Sequence, residues 1–232
     1  MNGLPIVVFL VVLLLVGVGA WLAWKAEKAR TEALAALAAR LGLDFDPRKN
    51  SHHDERFAQF EIFRRGHSRV AKNTLSGGGQ FFGAGCELRM GDFRYRVTSG
   101  SGKNRSTKTY DFSYVIVRLP WHTPPLLIRP EGLFDKIAAA FGFDDIDFES
   151  AEFSRAFMVK SDDKRFAYDV LHPRMMEYLL AQQPPMIDIE DGALCLSDGS
   201  RRWSPEQFEA RLEFVRQFAA LWPRHLLAQL GS

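Results

Sequence analysis

The sequence predicts an α+β protein with one N-terminal transmembrane helix, an antiparallel β-meander and a helix-richer C-terminal region. Three observations carry this prediction: an uncharged apolar run at 4–24, β-type residues between Gly and Asn clusters at 57–128, and helix caps with helical periodicity after that. The expected parts are the transmembrane helix at 1–24, a juxtamembrane helical connector at 25–42, the meander at 43–130, and an α+β region at 131–232 packed with the meander.

The apolar run 4–24 is long enough to cross a bilayer, since about 1.5 Å per residue gives a helix of roughly 30 Å. Trp21 and Trp24 stand where indole rings favour the membrane–water interface, and Lys25 follows them. The lipid bilayer is therefore the expected partner of residues 4–24. A cleaved signal peptide is an alternative, because "GVGA" ending at Ala20 is a passable cleavage site, but the "MNG" start carries no basic side chain. A buried helix of a soluble core is the third possibility.

The charges around this run predict its orientation. Lys and Arg flank it only on the C-terminal side, and basic flanks stay in the cytoplasm. We therefore expect a single-pass protein of the cell membrane with its soluble domain in the cytoplasm.

The connector predicts a helix that continues to about Leu41, since no helix breaker precedes Gly42. Leu34, Leu37, Ala38 and Leu41 share one face of this helix. We expect this stripe to dock on the protein's own domain, and pairing with a second copy is the alternative.

Five segments predict the strands of the meander, and they are 57–63, 68–76, 80–90, 93–99 and 108–120. In the fourth, Phe93, Tyr95 and Val97 alternate with Arg94 and Arg96, which predicts one buried and one wet face. Between 110 and 119, residues of even number share one face and residues of odd number the other.

Local signals organise the C-terminal region. They predict a helix at 131–141, a strand at 156–161, a helix capped by Ser161 or Asp162, a helix opened by Pro173, a hairpin at 186–199 with "EDG" in its turn, and a final helix that begins with a Ser204–Gln207 capping box and ends or kinks at Pro223.

The stretch "SGSGKNRSTKTY" looks at first like a phosphate-binding loop. A Walker A loop needs Ser or Thr after the Gly–Lys pair and a helix thereafter. Here Asn104 follows Lys103, and the next residues are β-type, so we expect a polar hairpin loop between two meander strands. Lys103, Arg105 and Lys108 remain candidates for weak contact with an anion or a lipid headgroup.

No other pattern predicts chemistry. His52, His53, Asp54 and Glu55 are consecutive, which is poor metal-ligand spacing, and we expect a solvated segment. The acidic run at 144–152 lacks the glycine of an EF-hand loop. We therefore assign no catalytic residue, no metal site and no cofactor, and favour a non-enzymatic protein.

Composition excludes two further classes. The 232 residues carry a net charge of +2 without a long basic run, so nucleic-acid binding is not expected. Cys86 and Cys195 lack CxxC spacing, which disfavours a disulfide framework, and both predict buried small apolar residues within β-structure.

Several of these stretches together resemble an uncharacterised family of bacterial membrane-anchored proteins, catalogued as a domain of unknown function. The resemblance rests on "GDFRYRVTSGSGKNRSTKTYDFSYVIVRLP", "LLIRPEG", "FSRAFMVKSDDKRFAYDVLHPRMMEYLL" and "IDIEDGALCL". It implies an N-terminal membrane segment, an "LGL.F" start at 41–45, a β-rich section and a closing "FS..F" at 153–157. It implies no known activity.

These observations favour a membrane-anchored, non-enzymatic interaction domain at the cytoplasmic face. It would bind an unknown partner protein, or the membrane surface, through a β-sheet edge or the basic hairpin loop. One alternative is a membrane-anchored hydrolase whose site residues are dispersed in sequence. The other is an extracytoplasmic envelope domain, in which Cys86 and Cys195 could form a disulfide. The sequence predicts no oligomeric state.

Overall fold

The computed structural model describes residues 4–83, 85–131 and 145–231. The predicted helix at 131–141 lies outside these residues except for its first position.

The centre of the fold is one eight-stranded antiparallel sheet, which confirms the α+β class. Its strands are β1 (Asp44–Asp46), β2 (His67–Gly77), β3 (Glu87–Ser99), β4 (Ser106–Arg118), β5 (Leu126–Pro130), β6 (Phe157–Ser161), β7 (Met186–Glu190) and β8 (Ala193–Ser197). The order across the sheet is β1-β2-β3-β4-β8-β7-β5-β6. The first four strands form the predicted meander. β5 pairs with β6 and β7 rather than with β4, so the C-terminal strands extend the same sheet.

Nine helices accompany this sheet in the described part of the chain. They are α1 (Leu4–Leu41), α2 (His53–Arg56), α3 (Glu61–Arg64), α4 (Gly79–Phe82), α5 (Ala151–Ala156), α6 (Lys164–Val170), α7 (Pro173–Gln182), α8 (Pro205–Ala220) and α9 (Arg224–Leu230).

Two strand predictions are wrong. The segment 57–63 forms turns and α3, because Phe57, Phe60 and Phe63 recur every third residue and all point into the core. In 80–90, α4 takes the first residues and β3 begins only at Glu87. The turn from β2 into α4 requires glycine at Gly78, whose φ is 126° and where a Cβ would lie 2.6 Å from the Leu88 nitrogen. The predicted strand at 93–99 is the second half of β3.

Both faces of the sheet are buried, and the alternation along β4 separates two clusters as predicted. Val115 and Val117 belong to a large cluster shared with α1 and the C-terminal helices. Tyr114 and Ile116 belong to a smaller, aromatic cluster on the other face.

The predicted faces of β3 need one correction. Phe93 and Tyr95 are buried, but Val97 is 38% exposed near the hairpin end. On the opposite face Arg96 is exposed and Arg94 half-buried, whereas Asp92 is fully buried because α1 covers it.

α1 is one continuous helix of 38 residues. Its C-terminal part carries Leu34, Leu37 and Ala38, all at most 1% exposed against the sheet, which confirms docking on the protein's own domain. Its N-terminal part contains the single described stretch that is long and apolar enough to cross a membrane, and no side chain of that stretch is buried inside the protein.

Local caps follow the sequence closely. Ser204 and Gln207 form the complete capping box of α8. Asp191 and Gly192 turn the β7–β8 hairpin with positive φ values of 50° and 70°. The cap of α6 is Asp163, whose side chain accepts from the Phe166 N–H, rather than Ser161 or Asp162.

Pro223 ends the final helix, as predicted, and caps a short additional helix, α9. The cysteines differ from each other: Cys195 is buried in β8, but Cys86 lies in the loop before β3 and is only half-buried. Both thiols are free.

His53 overturns the prediction of a solvated segment. It is 2% exposed and packs among aromatic rings, with ring centroids 4.7 Å from Tyr114 and 4.8 Å from Phe63. Its Nε2 has no hydrogen-bond partner among the described residues. Burial, together with the nearby charges of Arg89 and Arg56, lowers the pKa of His53 to about 3.

We therefore expect His53 to make folding acid-sensitive. Its pKa in the folded protein lies below the unfolded value, so the unfolded state gains protons first as the pH falls below about 6.5. The stability lost between pH 7 and pH 5 is about 2 kcal/mol. Chemical unfolding of the full chain in detergent at both pH values measures it.

A His53→Phe variant isolates this contribution, because other buried groups such as Asp188 titrate as well. Its unfolding midpoint should change less between pH 7 and pH 5 than that of the wild type. His52→Gln, at an exposed neighbouring position, is the control and should behave as wild type. An equal pH dependence in wild type and His53→Phe would refute the assignment.

Candidate functional site

The strongest polar arrangement in the described chain joins α1 to the sheet. Arg30 donates from Nε and Nη2 to the two carboxylate oxygens of Asp92, at 3.1 and 2.8 Å. The Ser113 hydroxyl also donates to this carboxylate, at 2.8 Å, and Arg30 reaches the backbone oxygen of Trp203 as well. Asp92 is fully buried, so its charge depends on these donors.

A second ionic cluster lies one helical turn nearer the N-terminus. Glu27 accepts from Lys72 of β2 and, at 2.6 Å, from Arg202 in the loop after β8. Burial opposes the charged form of Glu27, but these two cations outweigh it and lower its pKa to about 2. We call the Glu27 and Arg30 contacts together the anchor junction.

The junction fixes the direction of the sheet relative to α1. Contacts of the helix ascend β2 in order: Glu27 meets Lys72, the Thr31 hydroxyl donates to Asn73 at 3.0 Å, and the Leu41 carbonyl accepts from Gln80, just beyond the strand. α1 and β2 therefore run the same way. The start of β2, the end of β3 and the start of β4 consequently lie at the end of the domain nearest the apolar part of α1, which we call the proximal end.

The β3–β4 hairpin projects from this proximal end. It is paired without interruption from Glu87↔Arg118 to Ser99↔Ser106. Gly100 has a φ of 83°, and a Cβ there would lie 2.3 Å from the Asn104 oxygen, so the turn requires glycine. A single 3₁₀ turn, Gly102–Asn104, completes the loop before β4 begins. This is the polar hairpin loop that the sequence predicts, with no helix N-terminus to hold a phosphate.

The three candidate anion contacts occupy this hairpin. Lys103 is in the 3₁₀ turn, Arg105 is exposed just before β4, and Lys108 is exposed on β4. Lys108 lies over the Tyr110 ring, 4.9 Å from its centroid. In the described part of the chain, neither Arg105 nor Lys108 has a carboxylate partner. Arg96, which the sequence did not mark as a contact, is exposed on the neighbouring strand β3, where it pairs with Thr109 and faces the other side of the sheet from Lys108.

The predicted interface residues lie on the free part of α1. Trp21 and Trp24 are 54% and 60% exposed. Lys25 lies over Trp21 and Lys28 over Trp24, with the ammonium nitrogens 5.2 and 5.6 Å from the ring centroids. Such amphipathic pairs suit a boundary between an apolar and an aqueous phase.

A buried carboxyl, Asp188, is the other notable polar group. It is 1% exposed on β7, and neither of its oxygens has a hydrogen-bond partner in the described structure. Burial, reinforced by the charges of Glu190 and Glu61, raises its pKa well above the usual value. No group of three or more His, Cys, Asp or Glu side chains that could hold a metal ion occurs within residues 4–83, 85–131 and 145–231.

The anchor junction escaped the sequence analysis because its partners are far apart in the chain. Arg30 and Asp92 are 62 residues apart, and Glu27 and Arg202 are 175 apart. The one sequence signal for the junction is Asp92, which lies on the polar face of the alternating strand β3. That face is covered by α1 and not by water.

The junction predicts a large effect of Asp92→Ala. The substitution leaves the partly buried Arg30 guanidinium without its carboxylate, which costs about 3–5 kcal/mol for buried pairs. Thermal unfolding of the full chain should occur at a clearly lower temperature. The double variant Arg30→Met, Asp92→Leu removes both charges and should recover much of the loss. An unchanged melting temperature in Asp92→Ala would show that the pair contributes little.

Comparison with known proteins gives a fold without a family. No family model and no curated protein matches the chain. Among solved structures, the fold is similar to the crystal structure of the mycobacterial trehalose monomycolate transport factor A. The TM-score is 0.57 at 11% sequence identity, over 83% of this chain and 96% of the other. At this identity the likeness shows a shared fold.

Proposed function

We propose that this protein is a single-pass membrane-anchored interaction domain, without enzymatic activity, tethered at the cytoplasmic face of the cell membrane. The observation that carries the proposal is the anchor junction. Because the apolar helix continues unbroken into the domain and is bound there by the buried Asp92 carboxylate and the partly exposed Glu27 ion cluster, the domain is held at the bilayer in one orientation.

The same continuity favours an anchor over a cleaved signal peptide. A cut after Ala20 would fall in the middle of α1, a few residues before Glu27 and Arg30. A segment whose helix is shared with the folded core suits permanent attachment, which keeps the local concentration of the domain at the membrane high.

The hairpin supports a direct contact with the membrane surface. Along α1, Trp24 lies about 9 Å from Arg30 at 1.5 Å per residue. Along β3, the hairpin tip lies roughly 23 Å from Asp92, the partner of Arg30, at 3.3 Å per residue. Even with the strands inclined to the helix, the tip reaches the level of the interfacial tryptophans. Its basic residues then meet lipid phosphates, at about 1 kcal/mol each on an anionic surface.

The orientation follows from the basic residues on the C-terminal side of the apolar run, beginning with Lys25. The resemblance to uncharacterised bacterial membrane-anchored proteins supports the anchor and remains part of the proposal. The structural neighbour is named as a transport factor, which is compatible with an accessory role beside a membrane transport system.

Cysteine labelling tests the orientation. Single cysteines at Asn2 and Gly231, in a Cys86→Ala, Cys195→Ala background, are treated with a membrane-impermeant thiol reagent. We expect Gly231→Cys to react only after lysis and Asn2→Cys to react in intact cells. Reaction of Gly231→Cys in intact cells would reverse the topology and favour the extracytoplasmic alternative.

Charge reversal tests the headgroup contact. A fluorophore on Ser101→Cys, in the same background, reports contact of the hairpin tip with quencher-labelled lipids in nanodiscs. In anionic nanodiscs, a variant with Lys103, Arg105 and Lys108 changed to Glu should lower the probability of contact between hairpin tip and lipid by about tenfold or more, and the quenching should fall with it. The reason is that three attractive charge interactions become repulsive. High salt should weaken the wild-type contact in the same direction.

A matched variant with Lys49, Lys164 and Arg224 changed to Glu carries the same change in net charge at exposed positions outside the hairpin. It should quench as the wild type does. Equal loss in both triple variants would assign the effect to net charge rather than to the hairpin.

A further inference from the structure

β4 is paired on only one side for half of its length. Its 13 residues pair with β3 throughout, but β8 covers only Tyr114–Arg118. Ser113 is the last covered position, because its N–H donates to the Arg201 carbonyl at 3.0 Å. From Ser106 to Phe112, no described residue bonds to the open side of the strand. We call this segment the open edge.

The hydrogen bonds above the open edge identify which groups it presents. The Ser113 N–H and C=O both point away from β3, towards Arg201 and the Ser197 hydroxyl, and the Leu119 N–H points the same way to Gly192. In a strand this direction alternates, so residues of odd number face outward. The open edge therefore presents the N–H and C=O groups of Thr107, Thr109 and Asp111.

The open edge lacks the devices with which sheets block unwanted pairing. Such edges are usually short, bulged or interrupted by proline. Here the register with β3 is unbroken over all 13 pairs, and the segment contains no proline. By contrast, β2 has register shifts between His67 and Val70 and between Lys72 and Leu75. The remaining protection against unwanted strand pairing is charge, and that charge also selects the partner.

The charge in and beside the open edge is positive. Lys108 lies within it, Arg105 directly precedes it, and Arg96 lies on β3 opposite Thr109, on the other face of the sheet from Lys108. All three are exposed and without a carboxylate partner in the described structure, whereas Asp111 already accepts from Arg94 at 2.8 Å. An added strand with acidic side chains would gain these three cations, and a basic one would be repelled.

A second copy does not fit the open edge. β4 runs away from the membrane, so antiparallel pairing of two β4 strands would turn one copy's anchor away from the bilayer. Parallel pairing about a two-fold axis along the strands would set each outward N–H against the same N–H of the other copy. The anchor therefore favours a different chain.

We propose that the open edge, Ser106–Phe112, binds an extended acidic segment of a partner protein, which adds as a strand beside β4 in line with β8. The proposal rests on the proposed function as an interaction domain and names its binding site and the class of its partner. Main-chain hydrogen bonds to Thr107, Thr109 and Asp111 hold the segment, and Arg96, Arg105 and Lys108 select its charge.

Amide hydrogen exchange on the full-length protein tests the proposal. Exchange at residues 107, 109 and 111 is compared between native membrane vesicles and purified protein in anionic nanodiscs. We expect slow exchange in the vesicles and at least about tenfold faster exchange in the nanodiscs, since a partner strand that is bonded in the vesicles and lost on purification protects these amides only in the vesicles. Equally fast exchange in both samples would overturn the proposal. Equally slow exchange in both would also overturn it, because the lipid surface would then be the cover.

Thr109→Pro supplies the decisive variant. It removes one outward N–H without touching the bonds to β3, and edge strands tolerate proline. In vesicles it should abolish the protection of residues 107 and 111, while Thr109→Ala, which keeps the N–H, should retain it. Lys108→Glu should weaken protection, because the partner segment is acidic, and unchanged protection would refute an acidic partner. Protection that survives Thr109→Pro refutes strand addition.

These outcomes are separable from those of the anchor. The cysteine labelling can confirm a cytoplasmic, anchored domain while exchange at the open edge stays fast. In that case strand addition fails and tethering stands.

Discussion

The buried pair of Arg30 and Asp92 is the interaction on which the arrangement of this molecule depends. A carboxylate with no solvent exposure is stable as an anion only with full compensation, and here the compensation comes from a helix that begins in an apolar segment. The pair therefore makes the placement of α1 specific in a way that the leucine stripe does not. Apolar side chains such as Leu34 and Leu37 tolerate small shifts, whereas a two-point guanidinium–carboxylate contact does not.

Several features of the proximal end follow from this constraint. With α1 parallel to β2, the β3–β4 hairpin and the Asp198–Arg202 loop lie on the side of the apolar helix. The basic residues of the hairpin and the open edge of β4 thus face the same narrow zone above the tryptophans. The proposed tethering, headgroup contact and strand addition therefore all depend on the same orientation of the domain relative to α1.

The sequence predicts those parts of the fold that depend on neighbouring residues. The capping box at Ser204, the Asp–Gly turn between β7 and β8, and the end of α8 at Pro223 are local, and the structure contains each of them. The sequence likewise predicts the alternation along β4, because residues of even and odd number each form an apolar face. The hairpin loop at Gly100 follows from glycine and polar residues between two strands.

Apart from local misassignments such as the cap of α6, the main failures involve partners that are distant in the chain. The segment 57–63 has strand-like composition, but it packs on the aromatic face of a sheet that is formed by other segments of the chain. His53 is polar, yet the rings of Phe63 and Tyr114 enclose it. Asp92 sits among residues that suggest a wet face, and only the position of α1 shows otherwise. For the candidate site, the sequence predicts the basic hairpin. It predicts neither the anchor junction, which orients the hairpin relative to α1, nor the open edge of β4.

In the proposed membrane-anchored arrangement, the unbroken α1 also sets how the domain is placed relative to the bilayer. Each residue of an α-helix advances the chain by about 1.5 Å and turns it by about 100°. In that arrangement, the number of residues between Trp24 and Arg30 determines both the height of the sheet above the bilayer and the direction, within the membrane plane, in which the open edge points. One residue more or fewer would barely alter the height but would swing that edge to another neighbour in the plane of the membrane. In the proposed arrangement, the length of this short segment thus determines which neighbouring proteins in the membrane plane the open edge can contact.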